Sequence, residues 1–139
     1  MNTPLFNLAS FTVCFEAKEE DTSAETHFID ECGWTEKEFR KIKDFPFFCA
    51  AVSIWKDGKK HAIEYLGCCC YRTEKEFHTR YRSDYFADMV STCVNQINDS
   101  ELSAAHAPWA ELMRKEHEKK LLKAKQAREK RQNKKADHA

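Results

Sequence analysis

Glycine and proline are scarce, with three of each in 139 residues. So few chain breakers exclude a loop-rich or low-complexity chain. Long apolar runs are missing too. No stretch approaches the ~18 residues of a membrane-spanning helix, so no membrane partner is expected. The first ten residues lack the basic and apolar regions of a secretory signal. The Asp-His-Ala ending carries no cysteine for prenylation. Gly33, Gly58 and Gly67 are too dispersed to build a phosphate-cradling loop.

What is present suits one folded domain. Hydrophobic residues make up 42% of the chain, including ten Phe, which is enough for a core without staples. The seven cysteines are Cys14, Cys32, Cys49, Cys68, Cys69, Cys70 and Cys93. The odd number and the contiguous run of three do not fit a disulfide framework. They read as reduced thiols of a cytoplasmic protein, packed as small hydrophobes.

The net charge of zero hides a polarity. Residues 1–113 hold 12 Lys and Arg against 19 Asp and Glu, a net −7. Residues 114–139 hold 11 against 4, a net +7. The expected organisation is an acidic α+β domain over 1–113 and a basic helical tail, partly disordered, over 114–139.

Periodicity gives the elements. Phe11, Val13 and Phe15 alternate with polar neighbours, which predicts one strand from Leu5 to Ala17. Thr22 or Ser23 can cap a helix through Cys32 that stops at Gly33. Thr35 and Glu38 form a capping box for a second short helix running to about Asp44. Phe47–Lys56 and Lys59–Tyr71 read as a hairpin about a type I′ Asp57-Gly58 turn. Counting from that turn, Ile54 faces His61, Val52 faces Ile63 and Ala50 faces Tyr65. Phe48, Ala50, Val52, Ile54, Ile63 and Tyr65 then share the core face. A capping box at Thr73 and Glu76 opens a long helix to about Ile97. Its inward stripe runs Phe77, Tyr81, Tyr85, Phe86, Met89, Val90, Cys93 and Ile97. Asn98-Asp99-Ser100 breaks it and can cap a short helix, and Pro108 then starts a last one. The expected fold is α+β: a three-stranded antiparallel sheet in the order β-α-α-β-β-α-α, with helices on one face.

Chemistry-bearing patterns are few. Zinc sites space their ligands in pairs, whereas Cys68–Cys70 are contiguous on a strand that points alternate thiols apart. No metal or cofactor is expected. Cys70 before the Thr73 helix and His78 within it are the candidate thiol–imidazole pair for a thiol enzyme, a remote alternative without a nucleophile motif. Asp57 is explained by its turn, and Glu64 is expected on the mixed outer face of the hairpin.

The remaining candidates are surfaces. Arg72, Arg80 and Arg82 mix with Tyr71 and Tyr81, a pairing that single-stranded nucleic acids favour. Lys119, Lys120, Lys123, Arg128, Lys130 and Arg131 of the tail attract phosphates without reading sequence. Glu16, Glu19, Glu20, Asp21 and Glu25 concentrate negative charge, and with Trp55 and Lys60 they are the candidate protein-partner surface. The expected function is therefore a non-catalytic binding or regulatory protein. It would be a small inhibitor or adaptor acting by protein contact on a nucleic-acid-processing or defence complex. The alternative is a direct nucleic-acid-binding module using the tail and the arginine–tyrosine cluster. A second copy of the chain is a further candidate partner.

Overall fold

The computed structural model describes residues 2–137. The fold is α+β with an antiparallel sheet, but the sheet has four strands instead of three. They are β1 (Thr3–Leu8), β2 (Phe11–Lys18), β3 (Phe47–Lys56) and β4 (Lys59–Cys70), hydrogen-bonded in sequence order. The expected single strand over Leu5–Ala17 is in fact a hairpin, because Ala9 and Ser10 form a two-residue loop between paired Leu8 and Phe11. Ala9 has a φ of 55°, uncommon for a residue with a Cβ, so no Gly or Asn marks the turn. The alternation of Phe11, Val13 and Phe15 is as predicted, and all three are buried.

The Asp57-Gly58 turn is also as predicted, with φ of 53° and 72° and Lys56 opposite Lys59. The register beyond it is not. A bulge between Ile54 and Trp55 shifts the pairing, so Ile54 faces Ala62, Val52 faces Glu64 and Ala50 faces Leu66. One extra residue turns the side chains that follow it to the other side, as far as the next irregularity. Ile63 and Tyr65 therefore leave the core face, and Glu64 joins it near Cys93. Tyr65 is half exposed. A second irregularity lies between Phe48 and Ala50, opposite Gly67 and Cys68 of β4.

The connector from β2 to β3 carries a wide π-helical turn (Thr26–Glu31) and α1 (Glu36–Arg40). Ser23 Oγ accepts the Thr26 N–H at 3.1 Å, and Gly33 ends the turn at a φ of 74°. Thr35 and Glu38 close their capping box at 3.2 and 3.1 Å. This segment is moored to β4 by Glu20, whose Oε1 accepts the Cys68 N–H at 2.8 Å.

The predicted helix from Thr73 to Ile97 is broken. It comprises α2 (Glu74–His78), an irregular wide turn (Arg82–Phe86) and α3 (Ala87–Ile97). Asp84 sits at φ −98°, ψ −125°, outside the helical region. The break turns Tyr85 out to 60% exposure, while Phe77, Phe86, Met89, Val90 and Cys93 stay buried. The last two expected helices are one, α4 (Ser100–Asp137), with Pro108 in its interior. Asp99 Oδ1 accepts the Leu102 N–H at 3.0 Å and so caps it. Pro108 removes the bond to the Ala104 carbonyl, and Ala104 is exposed, so water can replace it. The basic tail is helical through Asp137. No Gly or Pro follows Pro108, and Ala, Lys, Arg, Gln and Glu are strong helix formers.

The core lies between one face of the sheet and the helices. Leu8, Phe11, Val13, Phe15, Phe48, Ala50, Val52 and Ile54 meet Phe77, Phe86, Val90, Val94 and Leu102. Phe77 stacks on Phe15 at 5.7 Å between ring centroids and meets Phe48 edge-on at 6.3 Å. Trp109 of α4 stacks on Phe6 of β1 at 5.3 Å, which ties the last helix to the first strand.

Candidate functional site

Two surfaces and one small cluster carry the candidate residues. The first surface is the base and shaft of α4. The loop between α2 and α3 clasps the middle of this helix. His117 Nδ1 lies 2.8 Å from Asp84, Arg82 pairs with Glu116 at 3.3 Å, and Lys120 Nζ donates to the Arg80 carbonyl and to Ser83 Oγ, both at 2.8 Å. The Lys120 ammonium is also 5.8 Å from the Tyr81 ring, which Arg80 covers at 5.5 Å and Tyr71 approaches at 5.2 Å. The arginine–tyrosine cluster and the tail, separate in the sequence, thus meet at one place. The clasp occupies Arg82 and Lys120. Arg72, Arg80, Lys119, Lys123, Arg128, Lys130 and Arg131 are exposed.

Beyond Lys120 the helix stands free. Every residue from Leu121 to Ala136 is exposed, including Leu121 and Leu122 at 57% and 55%. The stretch from Leu121 to Asp137 holds seven Lys and Arg against Glu129 and Asp137. At ~1.5 Å per residue it projects about 25 Å.

The second surface is the sheet face opposite the one that packs on α2, α3 and α4. The pairing aligns Thr12, Trp55 and Lys60, then Cys14, Ser53 and Ile63, then Glu16, Ala51 and Tyr65. Trp55 Nε1 donates to Ser53 Oγ at 2.8 Å, so the indole leans along its own strand, and Cys14, Ala51 and Ser53 beneath are buried. Lys18 lies 5.9 Å from the Tyr65 ring. Of the predicted partner residues, the sheet brings Glu16, Trp55 and Lys60 onto this face. Glu19, Asp21 and Glu25 are exposed along the connector past the end of β2, and Glu20 is held by Cys68.

The cluster was not legible as such in the sequence. Cys32 Sγ is 3.7 Å from His27 Nε2, and His27 Nδ1 is 3.1 Å from Glu31 Oε2. The predicted thiol–imidazole pair, Cys70 with His78, is not the one formed. His78 packs on Phe15 and Phe86, with ring centroids at 4.8 and 6.2 Å. Burial lowers the His78 pKa and raises that of Cys70. Cys70 instead lines a groove of about 430 Å³ with Phe28, Trp34, Ile42, Phe45, Leu66 and Tyr85. A signal for the formed pair was available: His, Glu and Cys at i, i+4 and i+5. It has meaning only if the turn is wider than an α-helix.

Among the described residues no group of three or more His, Cys, Asp and Glu could hold a metal ion, and no helix is long and apolar enough to cross a membrane. No protein-family model, curated protein or solved structure matches the chain.

Proposed function

We propose that this is a non-catalytic binding protein whose free helical arm holds a nucleic acid. The observation that carries the reading is the stretch from Leu121 to Ala136, exposed throughout and rich in cations. In a helix held by no packing, lysines and arginines serve as helix formers while their charge stays in solvent, where it is available to a partner. Phosphate is the chemistry that fits: a repeating anion neutralised by many cations, with counterions released. A single helix also matches the width of the B-DNA major groove. The acidic body supports the same reading. It repels a polyanion, so contact is confined to the arm and to the exposed Arg72 and Arg80 near its root.

The test is binding of labelled duplex and single-stranded oligonucleotides by the full chain and by a chain ending at Lys120, over a salt series. The full chain should bind, with affinity falling steeply as salt rises, and the shortened chain should not. Equal binding by both, or none by either, would refute the reading.

A second reading keeps a specific observation of its own. The uncovered sheet face around Trp55, Ile63 and Tyr65 favours a protein partner, with the chain acting as an inhibitor or adaptor on a nucleic-acid-processing or defence complex. Tyr65→Arg would then abolish complex formation while leaving oligonucleotide binding intact.

A further inference from the structure

The turn at Thr26–Glu31 does something an α-helix cannot. Residues five apart in an α-helix diverge by about 140° around the axis. Here the Cys32 N–H donates to the His27 carbonyl at 3.0 Å, the i to i+5 bond of a π-turn, and the two side chains come to the same side. The Cys32 thiol is 3.7 Å from His27 Nε2. Glu31 is 3.1 Å from the other ring nitrogen. A carboxylate oxygen accepts, so this contact favours the tautomer with the proton on Nδ1, in which the Nε2 lone pair faces sulfur. The ring is held further by Phe28, edge-on at 4.8 Å, and by Phe47, stacked at 5.9 Å. Nucleophile, base and orienting group are thus in contact in that order.

The other thiols are differently placed. Cys14, Cys69 and Cys93 are buried, and Cys49, Cys68 and Cys70 are partly so. Burial pushes all six thiols up, Cys69 to about 11 and Cys93 to about 12. Cys32 is the exposed cysteine of the seven. It fills no core position, and Ser23 already caps the turn from the other end. Packing does not account for it.

We propose that Cys32, with His27 as its base, is a reactive thiol that exchanges with small disulfides. His27 Nε2 takes the Sγ proton as sulfur attacks one sulfur of the disulfide. A new S–S bond forms to Cys32 and the old one breaks. The departing thiolate recovers the proton from the imidazolium. One disulfide is consumed, one mixed disulfide and one free thiol result, and the small disulfide is the oxidant. Glu25, Asp30 and Glu31 line the same segment, so the field favours a cationic disulfide over an anionic one.

The experiment is a timed reaction of the full chain with cystamine, a dicationic disulfide, followed by intact mass and peptide mapping. Cys32 should take the first cysteamine, and Cys32→Ser should remove that adduct and create no other of comparable rate. His27→Gln should slow the reaction at least about tenfold. The urea-unfolded chain supplies the rate of an unassisted thiol, and native Cys32 should exceed it while the His27→Gln chain should not. First modification at any other cysteine would overturn the proposal. So would a native rate no faster than the unfolded one, or a His27→Gln rate equal to that of the unaltered chain.

Discussion

The two parts of α4 are one helix with opposite surroundings. From Ser100 to Lys120 it packs, with Leu102 at 0% and Met113 at 2% exposure and Trp109 stacked on Phe6. These positions are seven and four residues apart and so share one side. Each large apolar side chain buried there is worth roughly 1.5–3 kcal/mol. From Leu121 to Ala136 the same helix stands clear of the body, and two leucines lie more than half exposed. The first part nucleates the helix by docking. The second extends it residue by residue, which good helix formers sustain once a nucleus exists. The difference separates structure from available surface: the docked half answers to the core, and the free half meets only solvent.

The contrast can be broken most sharply by one substitution in each half. Leu102→Ala should cost about 2–5 kcal/mol in chemical denaturation, the usual range for a buried leucine. Leu122→Ala should stay within about 0.5 kcal/mol. Comparable losses would mean that the free half is packed in solution. Next in size is the tether of the connector. Glu20→Ala strands the Cys68 N–H and should cost about 1–2 kcal/mol.

Acid should also act on the packed body, through α2 and the docked half of α4. Burial lowers the pKa of His78, and likewise of His106, whose Nε2 is 3.0 Å from Ser91 Oγ. A depressed imidazole binds protons less readily folded than unfolded. It therefore leaves stability untouched well above the ordinary value of 6.5 and erodes it as pH falls below that value. A His78→Phe chain should lose less stability between about pH 7.5 and 5.5 than the unaltered chain. An unchanged difference would show that His78 is not the group responsible. The smallest effect should come from ending the chain at Lys120. Stability should change by less than about 0.5 kcal/mol, while the helical circular dichroism drops with the residues removed.

Sequence was a sufficient guide where a local interaction decided the outcome. The Thr35–Glu38 capping box, the stop at Gly33 and the Asp57-Gly58 turn all rest on neighbours along the chain. It was insufficient where one residue of slippage decided. The bulge at Trp55 exchanged Ile63 and Tyr65 for Ala62 and Leu66 on the core face, and no residue type announces such a bulge. The Ala9 turn escaped for a similar reason, since alanine is not a turn former. The break at Asp84 defeats a stripe reading, because Tyr85 keeps the helical spacing yet faces solvent. Of the candidate surfaces, composition revealed both charged sets. Only folding could bring Lys120 to Arg80, or aim His27 at Cys32.

The most direct measurement of the central claim leaves the helix whole and removes only its charge. Lys123, Arg128, Lys130 and Arg131 are replaced together by Gln, and oligonucleotide affinity is followed against salt beside the unaltered chain. If the arm holds phosphates, affinity should fall and the salt slope should flatten by up to about 0.9 for each phosphate no longer neutralised. Circular dichroism should remain unchanged. An unaltered affinity and slope would contradict the account and leave the uncovered sheet face as the working surface.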